Sequence, residues 1–171
     1  MPAPSGNQSA SGGPTSRLRA LGITLPAAPT PLGAYVESSH VGNLLFLSGT
    51  LPVVNGKLAI AGRLGENLSV KECQEAARIA SLNALAIAKE HLGDLDRLRK
   101  LIKLTVLMAT TGPFTEHAKV ADGASNLFAQ MFGPETGHVR LVYGVNGLPI
   151  GAPAIVDTIF EIEPLPDSTS E

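Results

Sequence analysis

The chain has 171 residues, 44% hydrophobic and 16% charged, with 13 basic against 15 acidic side chains and a net charge of −2. That balance fits one domain with its own core and argues against a basic nucleic-acid binder; no tryptophan, two tyrosines and five phenylalanines leave few platforms for stacking bases. A single cysteine, Cys73, excludes an intrachain disulfide and a thiolate zinc cluster.

Residues 1–16 carry no charge and are mostly Pro, Ala, Ser and Gly, the composition of a disordered tail. They lack the basic start and apolar run of a secretory signal, so the expected compartment is the cytoplasm. No run approaches about 18 consecutive apolar residues, so no membrane span is expected. Residues 17–164 read as one domain and 165–171 as a polar C-terminal tail.

Arg17 to Leu25 forms a short turn or helix, and Pro26, Pro29 and Pro31 then hold the chain extended. Residues 34–39 and 44–51 are strand-like and joined at Gly42-Asn43, a hairpin. Asn55-Gly56 makes a second turn, followed by a short edge strand over 57–61. Ser69-Val70-Lys71-Glu72 is a capping box opening a helix that Gly93 stops. Its small apolar stripe (Cys73, Ala76, Ala77, Ala80, Ala84, Ile87, Ala88) allows close approach to a sheet. Residues 100–110 form a strand, 114–132 a second helix ended by Gly133-Pro134, and 138–145 and 154–163 two final strands. The order β-β-β-α-β-α-β-β predicts an α+β two-layer domain, one mixed sheet with two helices on one face. Leu, Val and Ile remain on the other face, through which such a domain associates.

In a strand, His138, Arg140 and Val142 share one face, and Val139, Leu141, Tyr143 and Val145 the other. Taking the second set as the core face puts Arg140 and His138 away from the helices. A guanidinium there can grip a carboxylate or phosphate with two parallel hydrogen bonds; the plainer reading is a surface salt bridge. The four histidines (40, 91, 117, 138) show no metal-ligand spacing, so no metal is expected, and no cofactor motif is present. Cys73 on the helix stripe reads as a core residue rather than a nucleophile. Ser48-Gly49 is not a G-x-S-x-G elbow.

Three stretches occur in order: GAYVESSHVGNLLFLSGTLPV at 33–53, AARIASLNALAIAKEHLGDLDRLRKLIKLTVLM at 76–108, and VRLVYGVNGLP at 139–149. Together they resemble the reactive-intermediate deaminase (Rid) family, also called YjgF-like or L-PSP endoribonuclease-like, as a divergent long form. The resemblance implies a chorismate-mutase-like fold, a homotrimer, and three clefts between subunits that bind a small carboxylate-bearing metabolite. Arg140 falls where the family's arginine grips the substrate carboxylate, nine residues before Pro149. Tyr35 matches the cleft tyrosine and Gly49 the glycine whose backbone faces the ligand; Thr50 stands in place of a glutamine, and Asp122 where an asparagine often opens N-G-A-S. His138 and Val142, on the strand of Arg140, complete the expected binding set.

One departure bears on chemistry. Deaminating members carry a glutamate in the last strand that positions the attacking water; here the register places Ile155 there and Asp157 two residues on. Isoleucine cannot hold water, so the role passes to Asp157, Asp122, Glu37 or His138, with Asp157 taken beside Arg140 as the catalytic pair. The resemblance therefore implies hydrolysis of enamine or imine intermediates to a keto acid and ammonia, or alternatively a non-catalytic trimer that binds small carboxylates. Endoribonuclease activity, which the family name evokes, is opposed by the net charge and the lack of basic patches.

Overall fold

The structure, a computed structural model, describes residues 12–164. Ten elements follow in order: α1 (Pro14–Ala20), β1 (Ser38–Val41), β2 (Leu44–Leu47), β3 (Val53–Val54), β4 (Lys57–Leu58), α2 (Val70–Leu92), β5 (Leu98–Ala109), α3 (His117–Phe132), β6 (Val139–Val145) and β7 (Ala154–Ile162). The strands β1-β2-β7-β5-β6 form one sheet in that order. Only β5 and β6 are parallel, so the sheet is mixed. The α+β two-layer architecture is as the pattern predicts.

The sidedness of the sheet is written in β7. Ala154, Val156, Thr158, Phe160 and Ile162 are buried, while Ile155, Asp157, Ile159 and Glu161 between them are half-buried. The buried set packs beneath α2 and α3, where the Phe128 and Phe160 rings meet edge-on with centroids 5.7 Å apart. α2 begins as expected. Ser69 Oγ accepts from the Glu72 N–H, and the Glu72 carboxylate accepts from the Ser69 N–H at 2.8 Å; such a cap contributes about 1 kcal/mol. Gly93 ends the helix in the left-handed region at φ 74°. Gly123 lets α3 lie against the backbone of Gln74 on α2, where any Cβ would meet the Gln74 carbonyl. The Gln74 side chain donates in turn to the Lys119 carbonyl at 2.7 Å.

Three local readings differ. The strand expected at 57–61 is shorter and lies outside the sheet: Lys57–Leu58 pairs only with Val53–Val54, across a turn with Asn55 and Gly56 both at positive φ. The first strand runs over 38–41 rather than 34–39, because the turn at Gly42-Asn43 aligns Val41 with Leu44 and Ser38 with Leu47. Residues 34–37 lie outside the strand, and the N–H of Ser48, just after β2, donates to the Glu37 carbonyl. A third helix, α1, includes residues 14–16, read from composition as tail: Pro14 presets its first turn, Leu18 is buried, and the Thr15 N–H donates to Asp96 at 2.7 Å. Residues 1–11 and the C-terminal tail at 165–171 lie outside the described residues. Among the described residues no helix is long and apolar enough to cross a membrane, and no group of three or more His, Cys, Asp or Glu is placed to hold a metal ion.

Candidate functional site

The residues that carry chemistry fall into two sets. The first is on β6, an edge strand bonded only to β5. Arg140 Nη1 donates to Asp122 Oδ1 at 2.7 Å and to Ser125 Oγ at 3.0 Å. Asp122 and Ser125 are three apart on α3 and so present one face. Ser125 Oγ is also 3.0 Å from His138 Nε2. Burial and the nearby Arg140 charge hold the His138 imidazole below its usual pKa, keeping it neutral around pH 7.

This geometry corrects the face assigned to Arg140. Val142 is half-buried against the core, and Arg140 and His138 turn the same way, toward α3. Val139, Leu141 and Tyr143 are the exposed set, at 64%, 50% and 43% exposure. The alternation is as expected but its polarity is reversed. The sheet is apolar on both faces, so an apolar set did not identify the core side. Val142 itself packs against the core.

The second set lies at the other side of the sheet. A pocket of about 330 Å³ is lined by Tyr35, Glu37, Gly49, Thr50 and Asn83 beneath the Pro26–Thr30 segment. Burial raises the Glu37 carboxyl above the usual glutamate range. Tyr35 Oη accepts from the Leu32 N–H at 3.3 Å. Thr50 is buried, its hydroxyl donates to the Ser48 carbonyl at 3.1 Å, and its N–H donates to Val156 on β7. Asn83 Nδ2 donates to the carbonyls of Leu51 and Val53, each at 2.9 Å, and fixes the wall of the pocket. Sequence reading passed over Asn83; its signal was a lone amide inside the apolar run ASLNALAIA. The Ile155 methyl packs against Gly49, where a Cβ would stand 3.0 Å from Ile155 Cγ2.

One chain does not join the two sets. Thr50 pairs with Val156, Val156 with Val106 and Val106 with Val142, so Gly49 and Thr50 are three strand spacings, about 14 Å, from β6. Asp157 is opposite Thr105, which is opposite Leu141, so Asp157 belongs to the open face and Arg140 to the helix face. The expected Arg140–Asp157 pair is therefore not formed within the protomer. Cys73 is buried in the core, and burial pushes its thiol up to about 12, which leaves it protonated and inert at neutral pH.

Comparison with known proteins agrees with this architecture. A family model described as YjgF/chorismate mutase-like, a candidate endoribonuclease group, matches residues 15–162. The chain is 42% identical over 154 residues to protein TCP17 of Trypanosoma cruzi, covering 90% of this chain and 96% of that protein. It is similar to the crystal structure of Atu1372 from Agrobacterium tumefaciens, at 40% identity and a TM-score of 0.80, over 88% of this chain and 92% of that one. A crystal structure from Shewanella oneidensis MR-1, titled as a candidate endoribonuclease, superposes with a TM-score of 0.84 at 35% identity, over 88% of this chain and all of that one.

Proposed function

The chain belongs to the YjgF/chorismate mutase-like family, and from that premise we propose that it hydrolyses 2-imino acids, or their enamine tautomers, to the keto acid and ammonia in clefts between the subunits of a homotrimer. The observation that carries this reading is the division of the site. Arg140 sits on an edge strand, bonded to Asp122 and Ser125 of α3 with His138 just before that strand, and the pocket of Tyr35, Glu37, Gly49 and Thr50 sits on the far side of the sheet. Each set is half of a site that grips an acid at one end and holds a reacting carbon at the other. A cyclic trimer that sets the β6 edge of one protomer against the pocket of the next completes three such sites. The exposed Val139, Leu141 and Tyr143 support that contact.

In this reading Arg140 exchanges Asp122 for the substrate carboxylate, a charge-assisted grip of about 2 kcal/mol, or roughly 30-fold in affinity. His138, neutral beside it, adds no charge that competes for the carboxylate. Tyr35 and the backbone at Gly49 orient the imine carbon, so that attack by water is a positioned, near-unimolecular step. Asp157, on the same open face as Leu141 and one strand removed from it, belongs to the subunit contact in this reading rather than to the chemistry.

The test is hydrolysis of 2-iminopropionate generated in situ. The protein is expected to accelerate ammonia release, and Arg140→Ala to lose roughly 10- to 100-fold in kcat/KM. No acceleration by the wild-type protein would sink the enzymatic reading. A second reading, a trimer that binds small carboxylates without turning them over, is favoured by the Ile155 methyl packed on Gly49, which leaves no carboxylate there. It expects pyruvate to raise the melting temperature through Arg140 while iminopropionate decays at its background rate.

A further inference from the structure

We propose that Glu37 is the acid–base residue of the pocket, carrying a proton between the attacking water and the imine nitrogen; this rests on the imine-hydrolysis reading above. The pocket is lined by many apolar residues and a few polar ones, and Glu37 is its one charged lining residue. The other polar side chains lining the pocket come from every bordering segment: Thr30 from the 26–30 segment, Tyr35 from the approach to β1, Thr50 from the chain after β2, Asn55 from the β3–β4 turn and Asn83 from α2. None of these is a second carboxylate or a cation. A phenol, two hydroxyls and two amides leave the glutamate free to change protonation without a neighbour that fixes its charge.

The other acidic residues of interest are committed elsewhere. Asp122 is bonded to Arg140, and Asp157 faces the opposite side of the sheet from the arginine. The Glu37 side chain takes part in no ion pair or hydrogen bond among the described residues, and only its backbone carbonyl is engaged, by Ser48. Its place is set by the segment at 34–37, which carries Tyr35 and Glu37 into the pocket two residues apart, just before β1 begins. Burial raises its carboxyl toward the range where acid–base exchange near neutrality is efficient.

The proton count closes with water as the only co-reactant. Water oxygen bonds to the imine carbon as the C=N π pair moves to nitrogen; Glu37 takes the water proton and returns it to the nitrogen, giving the carbinolamine. Glu37 then takes the hydroxyl proton and delivers it to the amino group, the C–N bond breaks with its electron pair leaving on nitrogen, and ammonia and the keto acid depart.

The experiment compares wild type, Glu37→Gln and Asp157→Asn for 2-iminopropionate hydrolysis across pH, with pyruvate binding read by the shift in melting temperature. The expected result is a kcat roughly 100-fold lower in Glu37→Gln with KM changed by less than about threefold. The pyruvate shift is retained, and the fall of kcat/KM toward acid pH seen in wild type is absent from Glu37→Gln. Glu37→Gln with wild-type kcat and an unchanged acid limb overturns the assignment and leaves the hydrolysis reading standing. So does loss of that limb in Asp157→Asn alone. An inactive wild type overturns both.

Discussion

His91 sits between two partners: its Nδ1 is 2.9 Å from Ser38 Oγ and its Nε2 is 2.9 Å from His40 Nδ1. Burial, then the neighbouring His40, holds its pKa below 6.5. Burial and Arg140 do the same for His138. Because the folded-state pKa values are lowered, the unfolded chain takes up protons first as the pH drops below about 6.5, and the fold loses stability there. The melting temperature is expected to fall between pH 7 and pH 5, and the fall to be smaller in His91→Gln; an equal fall in both proteins would refute the histidine origin. Glu72, lowered by its bonds to Ser69, adds a separate loss only below the ordinary glutamate range near 4.5. At this scale residue types were legible and directions were not. The apolar alternation of β6 located Arg140 on a strand, yet an arginine held by two polar groups of α3 turns inward at a sheet edge, and no pattern within β6 records where α3 lies. Glu37 was legible only as one of several substitutes for the missing glutamate, because its isolation from other charges exists only in three dimensions.

Among the elements, α2 was read in full because its signals are local: a cap at Ser69, a small apolar stripe and a left-handed glycine at 93. The elements misread were those decided by pairing partners. The β3–β4 ribbon has strand-like residues but only two per strand and no place in the sheet. The close approach of α3 to α2 passes through one glycine. A methyl group at 123 would overlap the Gln74 carbonyl, so Gly123→Ala forces the helices apart, although alanine is the better helix former. The substitution is expected to cost about 2 kcal/mol and lower the melting temperature by roughly 6 °C. Gly112→Ala, where a Cβ meets nothing within 4 Å, serves as the neutral control. Equal melting temperatures for the two variants would show that the helices absorb the methyl group.

For the molecule as a whole, the open face of the sheet sets the expectation. Val139, Leu141 and Tyr143 on β6 are exposed apolar side chains on that face, the kind of surface that a contact between copies covers. In solution the protein is expected to run near 53 kDa, three times the 17.7 kDa chain, and Leu141→Glu to run as a monomer with its fold intact. A wild-type mass of 17.7 kDa would remove the basis for shared sites. The excess of apolar residues over one core's need was legible in the sequence; which of them pack inward was not, since both faces of the sheet draw on the same residue types. The separation of Arg140 from the Glu37 pocket by the breadth of the sheet has a combinatorial consequence. If each site borrows one residue set from each of two neighbours in a ring, Arg140→Ala and Glu37→Gln damage different halves. Unfolding and refolding the two inactive proteins together in equal amounts should then recover about a quarter of wild-type activity, because one ordered neighbour pair in four carries both intact halves. Refolded separately and mixed afterwards, they should recover almost none, so two defective copies of the chain would complement each other only when assembled side by side.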